Sequence, residues 1–174
     1  GRPSVESGSF RDRAGRWRLQ RSVSAELSRR PAERKVLNPP AVLDAGVLIA
    51  LLDAADVHHR SARDAMIRIA EAESPLVTST VALSEALVAP ARAGFASLQL
   101  ARRSIRNDAG VEVVPVDEAV ALDAAILRAG HGSLKTPDSL VVSTARILGG
   151  FAVTTDHRLA RLDEAVTVEQ FLAG

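Results

Sequence analysis

Four acidic residues occupy positions from which their carboxylates could act together on one ligand. Asp44 lies in the apolar stretch Ala41–Ile49, where a carboxylate is costly to bury unless a cation or hydrogen-bond donors meet it. Asp156 follows a second apolar run, Glu85 lies in a helical pattern, and Asp138 falls in the first turn of a predicted helix. Taken singly, each is better explained as a helix cap or a solvated charge. Their joint placement is what points to a shared site.

Converging carboxylates favour a hard divalent cation. Like charges repel and raise one another's pKa unless a cation intervenes, and oxygen ligands without His or Cys suit Mg²⁺ or Mn²⁺. Such sites bind phosphate oxygens and activate water. The other common chemistries find no support, because the chain has no cysteine and no serine lies in a nucleophile elbow. Gly149-Gly150 precedes a strand and lacks the Lys-Ser/Thr pair of a phosphate loop.

The elements that must position these acids alternate between short apolar runs and amphipathic segments. Strands separated by helices predict a parallel sheet with helices on both faces, whose strand carboxyl ends and following helix starts converge on one edge. The expected strands are residues 41–45, 75–78, 111–116 and 151–154, with a last edge strand at 166–168.

Helices are expected between these strands. Thr136-Pro137-Asp138 is a strong helix start, with Thr136 as N-cap and Pro137 at the first helical position. The expected helices run from the first strand to about Leu52, over 59–72, from Ser79 or Thr80 to about Val88, over 97–107, from Asp117, and over 136–148.

Composition separates a basic arm from the rest of the chain. The net charge of +1 over 174 residues divides into +6 for residues 1–35 and −5 for the remainder. We predict a basic, disordered leader over 1–40 and one folded domain over 41–174. An arm that touches phosphates or a partner is the alternative for the leader. No apolar run approaches a membrane span, and the charged N-terminus lacks a secretory signal, so a cytoplasmic protein is expected.

The segments around the four acids resemble the motifs of PIN domains, especially the toxin ribonucleases of VapBC toxin–antitoxin modules. The four similar segments follow one another in the family's order, over about residues 41–170. They are Val42–Ile49, Thr78–Glu85, Thr136–Val142 and Val153–Asp156.

This resemblance implies a PIN-like three-layer α/β/α sandwich with a mainly parallel sheet. It further implies a metal-dependent endoribonuclease, the toxin of a type II toxin–antitoxin system, with Mg²⁺ or Mn²⁺ held by Asp44, Glu85, Asp138 and Asp156. Single-stranded or structured RNA would be the substrate. The resemblance also implies that the protein forms a homodimer and that a cognate antitoxin occupies its acidic cleft.

Position 46 departs from the family pattern. Many relatives have Ser or Asn two residues after the first Asp, where this chain has Gly46. A small polar ligand to metal or water is then missing. Basic residues near the motif segments would hold the RNA backbone, and Arg92, Lys135 and Arg158 are the candidates.

Two rival functions are weighed against the nuclease. A PIN-like module that has lost turnover could still bind RNA or a partner, and Gly46 is the feature that favours it. A phospho-acceptor receiver domain also carries acids at strand ends. It would want a pair of acids after the first strand and a Lys after the last, whereas Asp44 stands alone and His157-Arg158 follows Asp156.

Overall fold

The structure is a computed structural model that describes residues 10–11, 17–18 and 38–174. Near the N-terminus, β1 (Phe10–Arg11) and β2 (Trp17–Arg18) pair in antiparallel fashion. The remainder of residues 1–37 lies outside the described part of the chain, so the disorder expected of the leader stays a prediction.

A five-stranded, all-parallel sheet organises residues 38–174. Its strands are β3 (Ala41–Leu43), β4 (Leu76–Ser79), β5 (Glu112–Val114), β6 (Phe151–Thr154) and β7 (Ala165–Thr167). The strand order is β5-β4-β3-β6-β7, so β3 lies at the centre. Leu43 at the end of β3 pairs with Thr78 and Val153 near the ends of its two neighbours. The expected parallel sheet is therefore confirmed, and its carboxyl edge gathers the ends of three strands.

Eight α-helices surround this sheet within the described residues. No helix there is both long and apolar enough to cross a membrane. The helices are α1 (Ala45–Leu52), α2 (His59–Glu71), α3 (Thr80–Ala86), α4 (Val88–Arg92), α5 (Phe95–Arg103), α6 (Glu118–Gly130), α7 (Thr136–Leu148) and α8 (Val168–Ala173), and a π-helical turn (Ser104–Asp108) and a 3-10 turn (Leu159–Arg161) supplement them.

Two apolar clusters pack on opposite faces of the sheet. Successive side chains of a strand point to opposite faces, so Leu43 joins one cluster and Val42 the other. On Leu43's side the cluster includes Leu48 of α1, Met66 of α2 and Val168 of α8. On the side of Val42 it is completed by residues of α6 and α7. Helices therefore cover both faces, which confirms the three-layer α/β/α architecture.

Two of the strands are shorter than the sequence predicts, and the one at Phe151–Thr154 has the predicted bounds. The first ends at Leu43 instead of residue 45, because Asp44 already caps α1. The strand expected over 111–116 is paired only over Glu112–Val114, since Pro115 has no amide hydrogen to donate to a neighbouring strand. The second strand is displaced by one residue, to Leu76–Ser79.

The last strand and its sequel also differ from expectation. An edge strand was expected at 166–168, but β7 spans Ala165–Thr167 and α8 follows at once. The reason is a capping box: the Thr167 hydroxyl accepts from the Gln170 amide, and the Gln170 side chain accepts from the Thr167 amide. Helix α8 was not predicted.

Two predicted helices are divided differently in the structure. The helix expected to reach about Val88 ends at Ala86, and α4 continues after Leu87. Pro90 lacks the amide that would bond the carbonyl of Ala86, so the hydrogen-bond ladder is interrupted there. The helix expected over 97–107 begins earlier, at Phe95, and finishes in the π-helical turn.

Candidate functional site

Asp44 links the central strand to the helix that follows it. Its backbone is extended, and its Oδ1 accepts from the amide of Ala45 at 2.7 Å, which caps α1. Its Oδ2 accepts from the hydroxyl of Thr154 at 2.8 Å. Both carboxylate oxygens of this partly buried side chain therefore have a donor, as a carboxylate surrounded by apolar neighbours requires.

Thr154 joins the first acid to the last. It ends β6 fully buried, and its Oγ1 also accepts from the amide of Asp156 at 3.0 Å. The Asp156 side chain is exposed, and its Oδ1 accepts from the amide of Arg158 at 2.7 Å. Sequence reasoning placed Asp156 in the site but gave Thr154 no role. The signal that could have found it is a hydroxyl at the last position of an apolar strand, two residues before an acid.

Asp138 lies in the first turn of α7, as predicted, although the helix start differs by one residue. Thr136 was expected to be the N-cap, but Lys135 holds that position with an extended backbone, and Thr136 is already helical. No side chain caps this end of the helix, and Ser139 donates its hydroxyl to the carbonyl of Thr136 at 2.8 Å. The partly buried carboxylate of Asp138 thus lies near the positive end of the helix dipole.

Glu85 approaches the same edge from α3. That helix starts at the carboxyl end of β4, where the Ser79 hydroxyl accepts from the amide of Ala82 at 3.1 Å. It packs against α1 and α7, the helices that carry Asp44 and Asp138 at their starts. Glu85 is exposed near the end of this helix, within electrostatic range of Asp44 and Asp138.

The four carboxylates are close enough to perturb one another. Burial raises the pKa of Asp44 most, and the negative charges of Asp138 and Asp156 raise it further, against the lowering effect of its hydrogen bonds. Burial likewise raises the pKa of Glu85, with additional contributions from Asp44 and Asp138. For Asp138, burial and the charge of Asp156 raise the pKa. Three of the acids therefore have pKa values raised by burial and by the charges of neighbouring acids.

Two of the three basic candidates lie within reach of these acids. The ammonium group of Lys135 lowers the pKa of Asp138 and of Glu85, in opposition to burial. The guanidinium of Arg158 also lowers the pKa of Asp138, and its Nε lies 3.9 Å from Oδ1 of Asp156. Arg92 ends the short helix α4 and is exposed, and the described residues show no ion pair between it and the acids.

The donor set fits a hard divalent cation by its chemistry. All four side chains are carboxylates, a ligand type that such a cation prefers. Burial and the charges of the other acids leave three of them with raised pKa values despite the nearby positive charge of Lys135 and Arg158. As the side chains stand, no three carboxylates or imidazoles in the described ranges are placed to hold a metal ion. The site thus has the oxygen ligands and the excess negative charge that a divalent cation requires, but its carboxylates are not yet close enough together to coordinate one ion.

Comparison with known proteins gives the family. A search of curated proteins finds no match. Among solved structures, a toxin–antitoxin complex from Klebsiella pneumoniae aligns with a TM-score of 0.59 at 22% identity, over 74% of this chain and 97% of that one. VapC20 from Mycobacterium tuberculosis, a Sarcin-Ricin loop cleaving toxin, aligns with a TM-score of 0.56 at 22% identity, over 70% and 93%.

DNA-bound VapBC from Salmonella typhimurium aligns with a TM-score of 0.57 at 16% identity, over 74% of this chain and 98% of that one. At these identities the structural matches show a shared fold. The PIN-domain family model matches residues 41–165, which is more than half of the sequence and includes all four acids. The chain is therefore a member of the PIN-domain family.

Proposed function

We propose that the protein is a divalent-metal-dependent endoribonuclease that acts as the toxin of a type II toxin–antitoxin system. The observation that carries this proposal is the gathering of Asp44, Glu85 and Asp138 at the carboxyl edge of the sheet, where burial first, and the charges of neighbouring acids second, raise their pKa values. Collecting like charges lowers stability, and a structural role would be served as well by neutral polar residues. A bound cation would offset the repulsion and so explains why acidic residues occupy these positions.

Asp44, Glu85, Asp138 and Asp156 would hold Mg²⁺ or Mn²⁺. Glu85 and Asp156 are exposed, so their side chains can turn toward Asp44 without repacking the core. The ion would supply a bound water of lowered pKa and positive charge for a phosphate oxygen. The protein's own part is to orient Asp44 through Thr154 and Ala45.

The basic residues beside the acids would hold the RNA. Lys135 and Arg158 border the carboxylates, where their charges can meet phosphates on either side of the bond that is cut. Arg92 is a third candidate on the strength of the sequence alone. An arrangement with carboxylates at the centre and basic side chains beside them suits RNA, because the basic groups can hold its phosphates close to a metal bound by the carboxylates.

Partners and location are further parts of the proposal. The fold neighbours include toxin–antitoxin and VapBC complexes, so we propose a cognate antitoxin that covers the acidic edge. We also propose a homodimer and a cytoplasmic location, in line with the family resemblance of the sequence. The receiver-domain alternative has no support, since the family model that matches is that of the PIN domain.

Cleavage of a total RNA pool, with the ends of the products mapped, tests the proposal. Water activated by a metal and attacking phosphorus in line needs no 2′-hydroxyl nucleophile, so the products should carry 5′-phosphate and 3′-hydroxyl ends. Activity should require Mg²⁺ or Mn²⁺ and disappear in EDTA. Cyclic-phosphate ends, or cutting that survives EDTA, would refute the site.

Asp138→Asn separates catalysis from binding. The substitution nearly preserves shape but removes a ligand charge, so cleavage should fall roughly 100-fold or more while RNA binding changes little. Asp64→Asn on the exposed face of α2 is the matched control and should cut like wild type. A wild type that binds RNA yet never cuts it would favour the binding-module alternative.

A further inference from the structure

Gly46 lies in the first turn of α1, two residues after Asp44. Glycine is a poor helix residue, because it loses the most backbone freedom on folding. Within the described residues, the glycines with positive φ are Gly94, Gly110 and Gly149, so the backbone at position 46 does not require glycine. A different constraint must exclude a side chain there.

That constraint is space, and Thr155 occupies it. A Cβ built on Gly46 would overlap the Thr155 hydroxyl oxygen and lie 3.6 Å from the Thr155 Cβ. The same point is 3.9 Å from Oδ2 of Asp44. Position 46 and the Thr155 side chain therefore share one volume beside the first acid, and only one of them can place an oxygen in it.

Thr155 is well placed to use this volume for the site. It stands between Thr154, which bonds Asp44, and Asp156, so the turn after β6 fixes its backbone. The described residues show no hydrogen bond that engages the Thr155 hydroxyl, and the side chain is only partly buried. A polar oxygen beside a metal-binding carboxylate, with its hydrogen-bonding capacity unused, can orient a water molecule.

We propose that Thr155 is a positioning residue of the metal site, whose hydroxyl takes the place of a side chain at position 46 and orients water beside Asp44. The proposal rests on the proposed function for its metal. Its geometric half, the shared volume, does not depend on any ligand. Gly46 was the feature that favoured a PIN-like module without catalytic activity. In this proposal, the hydroxyl of Thr155 compensates for the side chain that Gly46 lacks.

The shared volume is tested without metal, by melting in EDTA. Gly46→Ser should lower the melting temperature of wild type, because Thr155 must rotate away. In a Thr155→Ala background the volume is empty and serine is the better helix residue, so the same change should be neutral or stabilising. Such a difference between backgrounds is the non-additivity expected of two residues in contact. An equal loss in both backgrounds overturns the shared volume.

The role of the hydroxyl is tested by Mn²⁺ titration calorimetry. Thr155→Val keeps the branched shape and removes the hydroxyl, so Mn²⁺ affinity should fall about 10- to 100-fold. Thr155→Ser keeps the hydroxyl and should bind like wild type. Adding Gly46→Ser to Thr155→Ala should recover affinity, which a merely structural role for Thr155 would not give.

Two outcomes distinguish this inference from the proposed function. If wild type and Thr155→Val bind Mn²⁺ equally while Asp138→Asn loses it, the metal site stands and the role of Thr155 is overturned. If wild type binds no Mn²⁺ and cuts no RNA, both the proposed function and the positioning role of Thr155 are overturned. A melting difference between backgrounds in that case would still establish the shared volume.

Discussion

The hydroxyl of Thr154 donates to Oδ2 of Asp44 at 2.8 Å and accepts from the amide of Asp156 at 3.0 Å. One buried hydroxyl thereby connects the first and last acids of the site, which are far apart in the chain. The connection is possible because β3 and β6 are paired neighbours in the sheet. Its consequence is that the orientation of Asp44 depends on a residue that carries no charge.

Thr154→Val should disturb the site without changing its charge. The substitution keeps the branched shape but leaves Oδ2 of Asp44 and the amide of Asp156 without partners, so we expect a loss of about 1–3 kcal/mol in unfolding free energy. Because the Thr154 hydroxyl lowers the pKa of Asp44, that pKa should rise further in the variant. Chemical denaturation and a pH titration of stability measure the two effects.

Thr144→Val is the matched control for Thr154→Val. Thr144 is buried on α7, and its hydroxyl donates only to the Leu140 carbonyl of its own helix, at 2.6 Å. We expect it to leave Mn²⁺ affinity unchanged, whereas Thr154→Val should lower it. If the two variants bind Mn²⁺ equally well, Thr154 does not orient the acid.

Asp44→Asn should stabilise the metal-free protein at neutral pH. Burial and the neighbouring acids raise the pKa of Asp44 above its unfolded value. The ionised form is thus disfavoured by folding, and asparagine avoids that cost because it carries no charge. Asparagine caps a helix about as well as aspartate, so the α1 cap should survive. Melting in EDTA at pH 7 should show a higher temperature for the variant.

The pH dependence of stability gives the sign of this effect independently. A carboxyl with a raised pKa holds its proton more tightly when folded, so its favourable contribution is present below the unfolded pKa and is lost as pH rises through the folded one. Metal-free wild type should therefore lose stability relative to Asp44→Asn as pH rises above 3.8, the ordinary pKa of this carboxyl. Burial raises the pKa of Glu169, but hydrogen bonds from its own amide, His58 and Ser61 lower it overall. Glu169 therefore gives stability the opposite pH dependence, and this contribution cancels because both proteins contain Glu169.

Added metal should reverse the order of the two proteins. Mg²⁺ or Mn²⁺ binds the folded wild type and raises its melting temperature by mass action, by an amount that Asp44→Asn should largely lose. Because protons compete for the same oxygens, the metal response of wild type should weaken as pH falls. Equal metal responses in the two proteins would contradict the assignment of Asp44 as a ligand.

The sequence predicts the positions of the acids better than the contacts that hold them. Apolar runs and helix starts place Asp44 and Asp156 after strands and Asp138 at a helix start, with element boundaries that differ from the structure by at most two residues. The pairing of β3 with β6 is a relation between distant segments, and local patterns carry no register. For that reason Thr154 had no predicted role.

Position 46 shows the same limit more sharply. Where the family resemblance leads us to expect a polar side chain, a glycine indicates a lost group when only its own segment is considered. The structure shows that Thr155, from a strand end more than a hundred residues later, fills the volume. The predicted ends of strands and helices are wrong for reasons within their own segments. Pro115 shortens β5, and the capping box of Thr167 begins a helix that was not predicted.

Deletion of the basic leader should leave the domain's stability nearly unchanged. In the part of the chain that the structure describes, both apolar clusters of the sheet are built from residues within 41–174. A leader that is disordered, as the sequence predicts, would contribute few apolar contacts to them. We expect the melting temperature to stay close to that of the full chain, with weaker RNA binding at low salt through loss of the +6 charge. Calorimetry and binding assays measure the two effects. A large drop in melting temperature would mean that the leader packs on the domain.

The basic residues beside the acids should determine the salt dependence of RNA binding. Lys135 and Arg158 already influence the charge state of Asp138, so a phosphate drawn to the site meets both. For each cation that contacts a phosphate of a single strand, the slope of log affinity against log salt should be steeper by about 0.7. Lys135→Ala and Arg158→Ala should each lower the slope by that amount, and the double variant by about twice as much.

Arg68→Ala is the charge-matched control for this series. Arg68 lies in the last turn of α2, which leads toward the amino end of β4 and so to the edge of the sheet opposite the acids. Its removal takes away the same charge but should leave the slope unchanged. Arg92→Ala, measured beside it, decides whether the short helix α4 also contacts RNA. An Asp138→Asn background removes cutting during the measurement, and equal slopes for wild type, Lys135→Ala and Arg158→Ala would show that RNA does not pass over the acids.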